Sequence, residues 1–112
     1  MNFEEREEYI KPILDGALRL LLSKGTEYAR SEDANANFKR IAVEEGLSPE
    51  QVCRIYLRKH LDALRYYADR LEKGQIPALT EPITGRVMDA VNYILILGSL
   101  IKEREKQLGV LG

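Results

Sequence analysis

Glu81, Gly85, Asp89 and Asn92 recur at helical steps and fall on one face of a helix. Asp89 and Asn92 are set into a run, Val87 to Ile101, that is apolar on every side, so packing alone does not call for an acid there. A carboxylate in such surroundings is costly unless it is paired, hydrogen-bonded or bound to a metal. Arg86, three residues earlier, offers a structural pair; the depth of the run favours a functional acid instead. Asn92 reads either as a core hydrogen-bonding amide or as a ligand contact. Glu81 also suits a helix start, where the dipole favours negative charge. A second group, Lys59 and His60, interrupts two apolar stripes on an earlier helix. Lys59 either snorkels or meets a phosphate or the acid row. His60, the only histidine, reads as a hydrogen-bonded core side chain. Asp62 reads as solvated. Lys24, Glu27, Tyr28, Glu32 and Asp33 gather in a polar segment. Tyr28, Tyr56, Tyr66, Tyr67 and Tyr93 are core candidates, with faces able to stack on a base.

The elements that must position these groups are helices. Tyr9, Ile13, Leu14, Ala17, Leu18, Leu21 and Leu22 recur at three- and four-residue steps and predict a helix over Phe3–Lys24. Pro12 predicts a kink or short break near Ile10 and Lys11, and Gly25 a C-terminal stop. Thr26–Asp33 reads as a loop. Ala34–Glu45 predicts a short helix with Asp33 as N-cap and Gly46 as its end. Ser48-Pro49-Glu50-Gln51 combines a serine cap, proline at N1 and a capping-box glutamine, and starts a long helix that Gly74 stops after about Lys73. Thr80 and Pro82 predict the start of the central helix, which ends near Gln107. No segment shows the alternation of a strand. The expectation is an all-α, antiparallel helical bundle of about four helices, with the central helix the most buried.

Composition narrows the function classes. The chain has 112 residues, 45% of them apolar and 31% charged, which fits one folded domain over residues 1–112. A net charge of −1 with mixed signs argues against nucleic-acid binding driven by bulk charge. Cys53 is the only cysteine, so neither an intramolecular disulfide nor a thiolate metal site is expected, and a reducing cytoplasm is the simplest setting. The acidic start MNFEEREEYI does not read as a signal peptide. Val87–Ile101 is too short for a bilayer and contains Asp89, so no membrane role is expected. A central helix apolar all round predicts a homo-oligomer, because a chain this small has trouble covering every face.

Taken in order, Lys24-Gly-Thr-Glu27-Tyr28, Glu32-Asp33, Asn37-Phe38, GLSPEQV, Arg58-Lys59-His60, Glu81 and Asp89-Ala-Val-Asn92-Tyr93 resemble a MazG-like group within the all-α NTP pyrophosphatase superfamily. The resemblance runs from about Asp15 to Glu105. It implies a helical bundle that cleaves nucleoside triphosphates to monophosphate and pyrophosphate, uses Mg²⁺ held by carboxylates of two neighbouring helices, and works as a homodimer or homotetramer. The chain departs from the wider superfamily in having Arg86 three before Asp89, no Glu-x-x-Glu on the long helix, Gly85 where relatives often carry an acid, and Arg58 just before the lysine. Hydrolysis at phosphorus asks for an oxygen-ligated Mg²⁺, a positioned water and cations on the phosphates. On this reading Glu81, Asp89 and Asp62 hold the metal. Lys24, Lys59 and Asn92 are catalytic, and Lys24, Glu27, Tyr28, Asn37, Lys59 and Tyr93 bind substrate. Two further classes stay open: a nucleotide-binding or structural bundle that keeps the fold without the chemistry, and a helical DNA-binding adaptor, which the charge balance disfavours.

Overall fold

The computed structural model describes residues 1–28 and 33–109, with side chains for 1–23 and 33–109. Among the described residues there are four helices and no strand: α1 (Phe3–Tyr28), α2 (Ala36–Glu45), α3 (Pro49–Glu72) and α4 (Ile83–Gln107). The all-α class is therefore as the periodicity predicts.

Helix α1 begins where the Asn2 side chain accepts from the Glu5 N–H at 2.8 Å, with Glu4 and Glu5 suited to the positive end of the dipole. No break occurs at Pro12; the helix runs through it. Proline removes the bond to the carbonyl of Glu8, but every residue from Met1 to Pro12 is exposed, so water can satisfy that carbonyl. Nor does Gly25 stop the helix, which continues through Thr26 and Glu27 to Tyr28, where a loop is expected from sequence. A helical glycine costs only about 1 kcal/mol, which neighbouring turns can absorb. Residues 29–32 of the expected loop, Glu32 among them, lie outside the described residues.

Asp33 sits before α2 but is not its cap. Its carboxylate accepts from the Asn35 N–H at 2.9 Å, turning the chain so that Asn35 takes the N-cap position and the helix begins two residues later than predicted. Gly46, at φ 67°, closes α2 as expected. The capping box of α3 forms in full: Ser48 Oγ accepts from the Gln51 N–H at 3.1 Å, and Gln51 Oε1 accepts from the Ser48 N–H at 2.8 Å. Lys73 and then Gly74, at φ 74°, end it. Helix α4 starts at Ile83 with Pro82 as N-cap, not from Thr80. Proline's extended φ/ψ serves the cap position here, and Glu81 is left outside the helix.

Helix α3 runs antiparallel to α4. Glu50 meets Arg104, Cys53 meets Tyr93, and His60 meets Arg86 and Asp89, so rising numbers on one match falling numbers on the other. Helix α2 packs on α3, and α1 on α4 alone among the described residues. Gly16 lets α1 approach: a Cβ there would lie 2.7 Å from the tip of Met88. Ile13, Ala17, Ala42, Val52, Cys53, Ala90 and Leu100 are the buried apolar residues.

Helix α4 is, as expected, the helix with the smallest share of exposed positions among the described residues, but it is not enclosed. Only Ala90, Asn92 and Leu100 are buried on it, while Ile94, Leu95 and Ile101 are about half exposed. Two flanking helices cannot enclose a rod that is apolar all round. By length and composition alone α4 is also long and apolar enough to cross a bilayer, with a mean hydropathy of 1.2. Its polar face is turned to protein here, since Arg86 and Asp89 meet the histidine of α3.

Candidate functional site

The facing surfaces of α3 and α4 bring together His60, Arg86, Asp89, Tyr93 and Tyr56, and Asn92 follows Asp89 by one turn on α4. His60 is buried. Arg86 Nη1 lies 3.3 Å from its Nδ1, and Asp89 Oδ2 lies 3.8 Å from the same nitrogen. Arginine has no acceptor, so Nδ1 takes a hydrogen bond from Arg86 only while it carries no proton; protonated, it faces the Asp89 carboxylate instead. The imidazole thus stands between a permanent cation and an anion. The local Arg86–Asp89 ion pair that sequence spacing allows does not form among the described contacts; both reach across to α3 instead.

Below this group the aromatic rings form a column. Tyr93 stacks on His60 with centroids 5.3 Å apart and on Tyr56 at 5.8 Å, and Phe38 of α2 meets Tyr56 edge-on at 6.2 Å. Burial first, then the nearby Asp89 charge, pushes the Tyr93 phenol above its ordinary value. Cys53 donates its thiol to the Tyr93 carbonyl at 3.4 Å, and burial pushes that thiol up to about 11. At neutral pH both groups are therefore uncharged. Asn92, one turn beyond Asp89, is 6% exposed, and its Oδ1 has no hydrogen-bond partner among the described residues. Nearly all buried carbonyls in folded proteins are paired.

The other predicted site residues are scattered. Asp62 is exposed and about 160° around α3 from His60 by helical count. Glu81 is exposed and precedes α4 by two residues, so it is not on the helical face that spacing shares between it and Asp89. Lys59 is exposed on α3. Asn37 is exposed and accepts from Arg40 at 2.7 Å. Lys24, Glu27 and Tyr28 have helical backbone in α1, and their side chains lie outside the described residues. Among the described residues no three of His, Cys, Asp and Glu come together as metal ligands; Asp89 is the carboxylate of this group that could hold a Mg²⁺ together with phosphate oxygens and water.

His60 and Arg86 join the site, although the sequence reading gives the first a core role and the second a structural one. Their signal is present in the sequence: a lone histidine inside an apolar stripe, and an arginine one turn before an apolar run.

A second charged cluster binds the far ends of the helices. Lys39 bridges Asp33 and Glu103, which raises its pKa and lowers that of Asp33, and Arg104 holds Glu50 through two bonds of 3.0 and 3.1 Å, which keeps the Glu50 carboxyl below its ordinary range. Lys39, Glu50, Glu103 and Arg104 line a cavity of about 250 Å³ over Ala42 and Leu100, with each cation already held by a carboxylate. Compared with protein-family models, with curated proteins and with solved structures, the chain finds no match in any of the three.

Proposed function

We propose that the protein is a nucleoside triphosphate pyrophosphohydrolase of the MazG-like kind, releasing a nucleoside monophosphate and pyrophosphate. One observation carries the reading most: a buried amide oxygen without a described partner, Asn92 Oδ1, lies one turn along α4 from Asp89, which together with Arg86 meets His60 of the antiparallel α3. Buried carbonyl oxygens are nearly always paired, so this one is open to a hydroxyl or a water of a bound ligand. The roles follow from chemistry. Arg86 offers its remaining N–H groups to phosphate oxygens. Asp89 and the imidazole of His60 orient a water for attack at phosphorus. Asn92 Oδ1 accepts from a hydroxyl or water of the bound nucleotide, and Tyr93 stiffens the wall beneath it. Mg²⁺ is the expected cofactor by resemblance, and no step here is routed through it.

The separation of Glu81 and Asp62 from Asp89 favours a second reading, a bundle that binds nucleotides without cleaving them. The deciding experiment is a panel of NTPs and dNTPs with Mg²⁺, scored for pyrophosphate. Release from at least one nucleotide supports the first reading. A nucleotide-dependent rise in melting temperature without pyrophosphate supports the second. Neither response from folded protein removes both.

A further inference from the structure

We infer that Tyr93 is a positioning residue for His60: its ring, stacked on the imidazole, sets the tilt of the imidazole plane and so the direction in which Nδ1 meets Arg86 and Asp89. The kinetic consequence rests on the phosphoryl chemistry proposed for His60; the geometry does not.

A histidine ring needs such a restraint. Its χ2 torsion is broad and roughly two-fold, so the side-chain rotamer does not fix the plane. Polar partners act within that plane. Arg86 Nη1 at 3.3 Å from Nδ1 makes a long hydrogen bond, and Asp89 Oδ2 at 3.8 Å is outside hydrogen-bond range. These contacts aim the nitrogen and leave the tilt soft. A stacked ring acts on the face instead. Tyr93 and His60 have centroids 5.3 Å apart and planes 19° apart, an offset stack, and tilting the imidazole out of it loses contact across the ring.

A ring can hold its neighbour only if it is held itself. Tyr93 stacks a second time, on Tyr56, at 5.8 Å and 10°, and Tyr56 meets Phe38 of α2 edge-on. The Tyr93 backbone is tied to α3 as well, because its carbonyl accepts from the fully buried Cys53 thiol at 3.4 Å. Cys53, Tyr56 and His60 lie on α3 at steps of three and four, so one face of α3 grips Tyr93 at three positions over ~10 Å. This role is toward the imidazole and is distinct from the substrate contact that the resemblance implies for Tyr93. It uses the face of the ring and not the hydroxyl. Phenylalanine should therefore serve, and leucine, apolar but without a flat face, should not.

His60 is the only histidine, so its ring C–H resonances in an NMR spectrum of the full chain need no assignment by mutation. In the wild type they are expected upfield of their positions in the unfolded chain, with nuclear Overhauser cross-peaks to the Arg86 side chain. Tyr93→Phe is expected to keep both. Tyr93→Leu is expected to lose the cross-peaks while the helical circular dichroism stays. The cross-peaks decide, because removing a ring removes its own shift whatever the imidazole does. Cross-peaks intact in Tyr93→Leu overturn the inference. Should that variant not fold, Tyr93→Met, longer and equally without a ring, is read by the same criterion, and wild-type resonances at unfolded positions overturn the inference with no variant at all. With nucleotide, Tyr93→Leu should lower kcat by roughly 10- to 100-fold, the scale of a misplaced catalytic group, with KM within about 3-fold and most of the loss restored in Tyr93→Phe. A raised KM with unchanged kcat overturns the positioning role. Absence of turnover in the wild type removes the pyrophosphohydrolase reading and leaves the cross-peaks to decide this one.

Discussion

Asn92 offers the sharpest test of the site, because stability and function should move in opposite directions. Its Oδ1 is buried without a described partner, which destabilises the fold by about 1–3 kcal/mol relative to a satisfied carbonyl. Leucine has the same heavy-atom branching, so Asn92→Leu removes the stranded acceptor and keeps the shape. Its methyl groups are bulkier than oxygen and amide nitrogen, and crowding returns part of the gain. Leucine also favours the helix by a few tenths of a kcal/mol. The net expectation is stabilisation of about 1–2 kcal/mol, a rise in melting temperature of roughly 4–10 °C for a domain of this size. In the same variant the nucleotide loses its acceptor, so the efficiency of pyrophosphate release, or nucleotide affinity read by thermal shift if there is no turnover, should fall by about 10- to 100-fold. Calorimetry with and without nucleotide measures both. If Asn92→Leu unfolds more easily by over ~1 kcal/mol and still responds to nucleotide, the oxygen is satisfied in the resting fold and the reasoning is wrong.

Three further outcomes are expected. Asp89→Asn should change stability by less than about 1 kcal/mol, because the 3.8 Å contact to His60 is partly exposed, yet abolish pyrophosphate release; a loss of 3–5 kcal/mol would instead make Asp89 a structural anion. Cys53 gives a pH signature: its folded thiol titrates at about 11, and an unfolded thiol near 8.5. A raised folded pKa contributes stability that is full below the unfolded value and lost as pH rises toward the folded one. Urea midpoints should therefore fall between about pH 9 and 11, by up to ~3 kcal/mol, and more steeply than in Cys53→Ala. Tyr93 shifts in the same direction above pH ~10, which makes the difference between the two proteins the quantity to read. Ser48→Ala removes an observed reciprocal cap and should cost about 1 kcal/mol in denaturant melts, with no change in nucleotide response.

Local grammar was legible where it does not depend on neighbours. The Ser48–Gln51 box, Gly46 and Gly74 act through backbone geometry within one turn, and each is found at its predicted place. Pro12 and Gly25 carry equally familiar local signals, and both are overruled. Their breaking power depends on whether a freed carbonyl or a costly turn can be tolerated, and an exposed, long α1 tolerates both. On α4, Asp89, Asn92 and Tyr93 stand out in the sequence because polar groups in an apolar run are conspicuous along one helix. The role of His60 was not, since what it meets is 26 and 29 residues away in sequence and depends on the register of α3 against α4. Glu81 departs from its expected alignment for a simpler reason: the face that spacing gives it exists only inside the helix, and α4 starts two residues later.

The apolar run of α4 carries a different lesson. Hydrophobicity reports that a surface must be covered and not which chain covers it. Reading the run as the centre of one chain assigns all its neighbours to that chain, yet here α1 and α3 leave Ile94, Leu95 and Ile101 about half exposed while α1 keeps an apolar stripe of its own. Those exposures belong together if two copies share one core. The first twelve residues, exposed along their length in the single chain, then have a reason to stay helical. Most helical stability comes from packing an apolar face, not from propensity. Removing Met1–Pro12 should on this argument leave α3, α4 and their facing side chains in place. It should take Phe3 and Ile10 out of the shared core and weaken association far more than it weakens the fold of the remaining helices. Sedimentation and circular dichroism on the truncated chain separate the two effects. Loss of helix throughout, with no monomeric folded species at any concentration, would show that the N-terminal turns support the fold of the single chain and that the division between internal core and shared core is drawn in the wrong place.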